Sequence, residues 1–404
     1  MYRDGAYRPD GEAVLRADAQ VLLGRERHEH RIEEALHYVE VATRLEKDIT
    51  PDRQYLNLLN GRLDWQTGEL VGHTPKVFTT VQLPVAYDPL AQCPVFDAYL
   101  DTTFDQDVIP LIHEILGWCL LPDTRFETAV MLIGEGKNGK SVFLDLLGYL
   151  LGEENTSNVA LQDLEENRFK AAQLYGKLAN IFADLDARGL QSSSMFKTLV
   201  TGDPIDAERK HRDPFSFRSY AKLLFSANKM PSSRDKSYAF YRRWLMIPFT
   251  RTFDGVGTNP QPDKGLRAKL KEELSGILNY ALDGLARLNA AQAFTKPKGV
   301  LETMQTYMAR NDNVRVFVDE CVIADKDGAI VKKFFSEVYA RWCDAYGERA
   351  VSDKVLRDSL QKIIPHLDEH RRSAKDPREW IGMSWSEDAQ HYFPRKREDK
   401  SEEA

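Results

Sequence analysis

The sequence predicts an α/β fold at the centre of a multidomain chain, and three observations carry that expectation. Between about residues 127 and 250, short apolar runs alternate with amphipathic stretches, as when strands and helices succeed one another in a sheet-based domain. A glycine-rich motif stands where one such strand passes into a helix. Hydrophobic residues make up 42% of the 404, which supplies cores for two or three domains at about 150 residues each. The charge sum, 55 − 62 = −7, excludes a histone-like basic protein, so any nucleic-acid contact has to come from a local basic patch. Cys93, Cys119, Cys321 and Cys343 lie far apart with no CxxC pair, which argues against a zinc ribbon or a disulfide framework and for a reducing compartment. Met1-Tyr2-Arg3-Asp4 runs into polar sequence without a signal-peptide core, and the apolar runs fall far short of the ~20 residues of a membrane helix. The expectation is a soluble, intracellular, multidomain chain with no membrane partner.

Along the chain, residues 32–45 have helical spacing, and YLNLLNGRLDWQTGELVGH reads as short strands around turns at Asn60-Gly61 and Thr67-Gly68. Two helical stretches follow at 95–100 and 108–121, the second stopped by Pro122. After the strand–helix alternation, FDGVGTNPQPD breaks the pattern; helical sequence resumes at 264–288, and a second break falls at 294–299. Residues 313–390 read as three short helices ending in the strand WIGMSW, and PRKREDKSEEA is a charged tail. These breaks divide the chain into 1–94, a helical 95–126, the α/β core with its following helices over 127–290, a further domain at 300–390, and the tail at 391–404.

The sharpest motif is Gly134-Glu135-Gly136-Lys137-Asn138-Gly139-Lys140-Ser141, which matches GxxxxGK[ST] without gaps. An apolar run ends at its first glycine and SVFLDLLGYLL begins an amphipathic helix at its last residue, so strand, loop and helix are all present. Glycines let backbone N–H groups wrap phosphates, and the helix N-terminus adds the positive end of its dipole. On this reading the loop binds ATP, Lys140 reaches the β and γ phosphates, and Ser141 ligates Mg2+.

Hydrolysis also needs an acidic residue at the end of a buried strand. Leu178-Ala-Asn-Ile-Phe-Ala-Asp184-Leu-Asp186 fits, 44 residues after Lys140, with Asp184 first in rank as the second magnesium ligand and Asp186 two residues on, on the same side of an extended chain. A third strand, ending Ser-Ala-Asn228, offers an amide to hold the attacking water or sense the γ-phosphate. Asn228-Lys-Met-Pro231 superficially resembles the NKxD of GTPases, but Pro231 stands where the guanine-reading Asp belongs, so GTPase is rejected. Arg242 and Arg243 lead into the apolar strand WLMIPF; neither the phosphate loop nor its helix holds an arginine, so one of this pair would act on a neighbouring subunit's ATP, which requires a ring.

With these four elements in this order, the chain resembles a superfamily 3 helicase of the AAA+ class, and more narrowly the helicase portion of phage, plasmid and poxvirus primase–helicases. The stretches that carry the resemblance are GEGKNGKS, KLANIFADLD, FKTLVTGDPIDAERKHRDPFSF, LLFSANKMP and FYRRWLMIPF, and NLLNGRLDWQTGEL resembles the domain that precedes the ATPase in that family. Together they cover roughly residues 50–290. Asp-Leu-Asp stands where the superfamily commonly has two adjacent acidic residues. The resemblance implies an AAA+-like P-loop NTPase core behind a helical collar, ATP and Mg2+ as cofactors, and a hexameric ring moving 3′ to 5′ on single-stranded DNA at the replication fork of a phage or mobile element.

Between the acidic strand and the Asn228 strand, GDPIDAERKHRDPFSF reads as a β-hairpin in which Ile205 and Phe215 bracket a basic tip of Lys210, His211 and Arg212. In the family this hairpin enters the ring pore and grips DNA phosphates. From 205 to 251 there are eleven Lys/Arg against four Asp/Glu, a net of +7, which favours sequence-independent, salt-sensitive strand binding. The 313–390 segment carries Lys332, Lys333, Arg341, Lys354, Arg357, Lys362, Arg371 and Arg372, and its helix–strand pattern suggests a winged-helix-like domain for DNA contact or protein docking. His366 and His370, at i, i+4 spacing, and His28-Glu-His30 lack a third ligand and read as surface residues. About 90 residues before the helical stretch are too few for a primase core and hold no DxD metal pair, so a helicase without primer synthesis is expected, either with a separate primase or replication protein as partner or in an element that dispenses with one. Two rivals stand beside the helicase: an ATP-switched initiator or loader that does not unwind, and an RNA-directed ATPase, since phosphate contacts do not read the sugar.

Overall fold

The computed structural model describes residues 1–43, 52–186, 188–190, 192–210, 213–233, 235–346, 349–364, 366–371 and 376–394. The chain divides into two compact units, Met1–Met304 and Gln305–Ala404.

The first unit opens with a two-stranded ribbon, β1 (Tyr2–Arg3) and β2 (Ala6–Tyr7), followed by helices Gly11–Leu23 and Glu29–Ala42. A three-stranded antiparallel sheet comes next, β3 (Tyr55–Leu58), β4 (Gly61–Asp64) and β5 (Leu70–Val71). Its first turn lies at Leu59-Asn60, one residue earlier than Asn60-Gly61. Gly61 already pairs with Leu58, and a Cβ on it would lie 2.6 Å from the Val71 carbonyl oxygen, so only glycine lets β5 approach.

The centre is a five-stranded all-parallel sheet of β6 (Ala129–Ile133), β7 (Thr156–Ser157), β8 (Ala179–Phe182), β11 (Lys222–Ala227) and β12 (Trp244–Pro248), in the order β12-β6-β11-β8-β7. Residues 129–132 and all of β11 are buried, as expected of parallel strands covered on both faces, which is why β6 reads as an unbroken apolar run and β11 is apolar but for Lys222 and Ser226. β9 (Pro204–Ala207) and β10 (Phe215–Arg218) form a separate antiparallel hairpin.

Helices Ile109–Leu120 and Leu274–Ala291 pack backbone against backbone. A Cβ on Gly117 would lie 2.2 Å from the Ala281 carbonyl oxygen, and one on Gly284 would lie 2.1 Å from that of His113. Buried Glu114 closes the contact by accepting from Arg287 Nε at 2.9 Å and from the Thr295 backbone N–H at 2.8 Å. One hydrophobic core runs from Leu56 through these helices and the central sheet to Val300. Lys222, at the start of β11, is fully buried. Its ammonium donates to the carbonyls of Leu121, Asp123 and Tyr220, and burial pulls its pKa down to about 8.

The second unit contains helices Asn313–Cys321, Lys332–Ala345 and Asp353–Ile363, with β13 (Val322–Val331), β14 (Asp368–His370) and β15 (Glu379–Trp385) in the order β13-β15-β14. Asp312 caps the first helix by accepting from the Val314 and Arg315 N–H groups. Two of these strands were not expected. VIADKDGAIV hides its alternation because its register with β15 shifts between Ala324 and Ala329, leaving polar residues in the middle. Phe317, Phe335, Tyr339 and Trp342 centre the core of this unit. All four cysteines of the chain are buried thiols. Among the described residues no helix is long and apolar enough to cross a membrane, and no group of three His, Cys, Asp or Glu is placed to hold a metal.

Candidate active site

Three segments of the central sheet bring their carboxyl ends to one edge, where parallel α/β sheets bind ligands. At the end of β6, Gly134–Gly139 loops over to a helix that begins at Lys140. Gly139 takes φ +90° and Lys137 φ +59°, so consecutive backbone groups turn inward at the helix N-terminus. Gly134 has no room for a side chain, since a Cβ would lie 2.2 Å from Asn138 Nδ2 and 2.4 Å from the Phe249 carbonyl oxygen. Buried Asn138 donates to that Phe249 carbonyl at 3.2 Å, which ties the loop to the end of β12.

Lys140 is only 7% exposed. Its ammonium donates to the Gly134 carbonyl and, at 3.1 Å, to Asn138 Oδ1, both neutral oxygens. Burial pulls its pKa below the ordinary value, and the Asp184 carboxylate opposes that shift. A buried cation held by neutral acceptors, with one carboxylate acting on it, is an anion-binding arrangement. Glu135, Gly136, Lys137 and Ser141 are exposed around it.

Asp184 is exposed beyond the end of β8. Two features differ here from a buried acidic strand neighbouring β6 and running straight through Asp-Leu-Asp. β8 is not the neighbour of β6, because β11 lies between them. The chain is also not extended through Asp-Leu-Asp: Asp184 takes φ +58°, so it and Asp186 do not share a side by strand alternation, which corrects the sequence reading. Asp186 turns away to pair with Arg188 Nε at 2.7 Å. The left-handed turn at Asp184 is held by buried Ser226 of β11, whose hydroxyl accepts from the Asp184 N–H at 3.1 Å and whose carbonyl accepts from Leu185 N–H at 2.7 Å. Two residues after Ser226, Asn228 is exposed at the same edge. The segments beyond Asp184 and Asn228 are laced together as well, by a Leu190–Ser233 bridge and by Asp235, which pairs with Lys197 Nζ at 2.8 Å. Sequence reasoning missed Ser226 because a serine inside an apolar strand carries no motif.

Arg242 and Arg243 lie at the other end of the sheet. The Ala129 N–H, first in β6, donates to the Arg243 carbonyl at 2.7 Å. Five residues of β6, roughly 16 Å at about 3.3 Å each, separate that point from Gly134. Both arginines converge on Glu127: Arg242 Nη2 at 2.9 Å, Arg243 Nη2 at 3.9 Å. They differ in burial. Arg243 is 7% exposed and also donates to the Ala239 carbonyl, whereas the Arg242 side chain is 40% exposed.

The hairpin forms as expected, with Phe215 opposite Ala207 and Phe217 opposite Ile205. Lys210 is exposed near its tip; His211 and Arg212 lie outside the described residues, as does Arg372 of the second unit. Arg209 lies over the rings of Phe215, 4.9 Å away, and Tyr175, 5.3 Å away, so aromatic contacts brace the strand that leads to the tip.

Comparisons with known proteins follow this division. Residues 7–105 match the family described as D5 N terminal like, and residues 132–243 match a family of unknown function, DUF5906. The “Putative helicase L207/L206” of Acanthamoeba polyphaga mimivirus is 22% identical over 284 residues, covering 65% of this chain and 29% of that protein. The chain therefore spans less than a third of the length of that curated relative. Two apo structures of the NrS-1 C-terminal region are 13% and 14% identical, with TM-scores of 0.47 and 0.43; the first covers 87% of this chain and 90% of that one, the second 74% and 77%. By its N-terminal match and its similarity to a viral helicase sequence, the chain is similar to phage and viral primase–helicases.

Proposed function

We propose that this protein is an ATP-dependent DNA helicase of the AAA+ superfamily 3 kind, working in replication of a phage or mobile element in the cytoplasm of its bacterial host. The observation that carries the reading is buried Lys140, held by neutral oxygens at a helix N-terminus with Asp184 acting on it. These residues fit ATP with Mg2+: residues 134–141 would cradle the phosphates, and Ser141 and Asp184 would hold the ion, which supplies charge neutralisation of the phosphates when bound. Asn228 would orient the attacking water, and Ser226 would hold Asp184 in place. The strand order, with β11 between β6 and β8, supports the AAA+ reading.

In this proposal the helices Pro94–Thr103 and Ile109–Leu120 form the collar and the protein works as a hexameric ring. Arg242 acts on the neighbouring subunit, and Lys210, with His211 and Arg212, tracks single-stranded DNA in the 3′-to-5′ direction. The second unit, with its helix–strand–helix–helix–strand–strand order, is a winged-helix-like domain. A separate primase would prime synthesis.

The test is ATP hydrolysis with and without single-stranded DNA at fixed salt, with Lys140→Ala as the blank. Strong stimulation by the strand, followed by unwinding of a forked duplex, is expected. Stimulation without unwinding would favour the initiator or loader, and equal stimulation by RNA would favour an RNA-directed ATPase. Lys210→Ala is expected to weaken strand binding and to flatten the salt dependence by about 0.7 in log–log slope, one phosphate contact on a single strand. An unchanged slope would move the strand-binding surface away from the hairpin.

A further inference from the structure

The arginine pair at the far end of the sheet cannot serve the phosphate loop of its own chain, yet one arginine does stand at the loop's edge. β12 runs parallel to β6 with Pro248 opposite Ile133, so the segment that follows β12, with Arg251 in it, leaves the sheet beside the loop that follows β6. The backbone confirms that the two segments stay together past the end of the sheet. The Phe249 carbonyl accepts from Asn138 at 3.2 Å, and the Phe253 N–H donates to the Lys137 carbonyl at 2.7 Å. Arg251 lies midway between those two attachments.

Its guanidinium is engaged by helix Pro94–Thr103 and the turn after it, donating to the Asp101 carbonyl at 2.6 Å and to Asp105 Oδ1 at 3.0 Å; Tyr99 of the same helix donates to the Gly139 carbonyl of the loop at 3.3 Å. The Asp105 side chain is 75% exposed and that of Arg251 39% exposed. A pair this open to water is held weakly and exchanges readily for a stronger anion. A nucleoside triphosphate's phosphate chain carries several negative charges and fits a guanidinium's fork of donors.

The geometry points to Arg251 as a further phosphate-binding residue of the nucleotide site, contributed by the same chain, which Asp105 holds aside until the phosphate chain competes it away. This rests on the reading of residues 134–141 as a nucleotide site. Arg251 supplies from within the subunit a guanidinium that neither the loop helix nor the Arg242–Arg243 pair provides, and Asp105 sets the cost of recruiting it.

The test measures binding of a fluorescent methylanthraniloyl-ATP to the full chain, with inorganic tripolyphosphate as a competitor and thermal melting as a folding check. Arg251→Ala is expected to weaken both ligands by about 10- to 100-fold, the worth of a charge-assisted hydrogen bond. Asp105→Asn is expected to tighten both by a few fold, because it frees the arginine. That opposition of sign separates phosphate recruitment from a structural strut, for which both substitutions would act alike. Unchanged binding by Arg251→Ala would overturn the inference. So would weaker binding by Asp105→Asn, or a loss confined to the ATP analogue with tripolyphosphate unaffected. A wild-type chain that binds neither ligand, or a Lys140→Ala variant that binds like wild type, would instead remove the nucleotide site itself and the inference with it.

Discussion

Arg242→Ala is expected to lower ATP turnover by about 10³- to 10⁵-fold while the chain stays folded and still binds nucleotide. The Arg242 guanidinium is 40% exposed and pairs with a Glu127 side chain equally open to water, so its removal costs little stability. It sits roughly a strand length, about 16 Å, from its own phosphate loop, too far to touch a nucleotide bound there. In the proposed ring it would act on a neighbouring subunit's site. Arg243 lies beside it but is 7% exposed, donates to the Ala239 carbonyl, and has its pKa lowered by burial and by Arg242. Arg243→Ala is therefore expected to lower the melting temperature instead. A mixing experiment separates the two arrangements. Lys140→Ala supplies intact arginines and Arg242→Ala supplies intact loops, so a mixture regains turnover if the arginine acts across an interface. Two inactive variants that stay inactive when mixed, under conditions where rings form, would assign Arg242 to the Glu127 pair alone.

Gly117→Ala and Gly284→Ala are each expected to destabilise the first unit by about 1–3 kcal/mol, with the double variant losing more than either. Most added methyl groups can be absorbed by the flexible end of a side chain. Here the new Cβ of residue 117 would meet the Ala281 carbonyl oxygen at 2.2 Å and the Leu285 nitrogen at 2.6 Å, and that of residue 284 the Glu114 nitrogen at 2.6 Å. Two helix backbones must separate, and that disturbs Glu114, whose carboxylate is buried with Arg287 and Thr295 as its partners. Gly148→Ala is the internal control, since it lies inside helix Lys140–Leu151 with nothing within 4 Å of the added atom. It is expected to stabilise by roughly 0.5–1 kcal/mol through the entropy of the unfolded chain. Urea unfolding of the three variants checks the signs. Destabilisation at 148 as large as at 117 and 284 would mean that the close approach of the two helix backbones is not what governs them.

The phosphate loop was legible because its requirements are local. Glycines at 134 and 139, the lysine at 140 and the apolar run before them each act within a few residues, and the structure builds strand, loop and helix from them at those positions. The hairpin was legible for the same reason, since Asp206 to Ser216 closes within a dozen residues. The second unit was less so, because β13 carries polar residues at a register shift that no alternation betrays. Asp186 was misplaced because strand alternation was carried one step too far: a single left-handed residue at Asp184 ends the period, and the Ser226 hydroxyl that supports it comes from another strand.

By itself the sequence determined the α/β class, the glycine-rich strand–loop–helix with Lys140, the approximate ends of most central strands, and a hairpin whose tip Ile205 and Phe215 bracket. Those features follow from side-chain periodicity and backbone chemistry acting over a few residues. Only the tertiary structure decided that β11 separates β6 from β8, that Arg242 and Arg243 lie at the far end of the sheet, that the segment holding Arg251 is tied to the loop on either side of it, and that Gly117 and Gly284 bring two helices into backbone contact. Each of these is a pairing between segments distant in sequence, set by sheet register and by which surfaces the core buries together, and no local pattern carries that information.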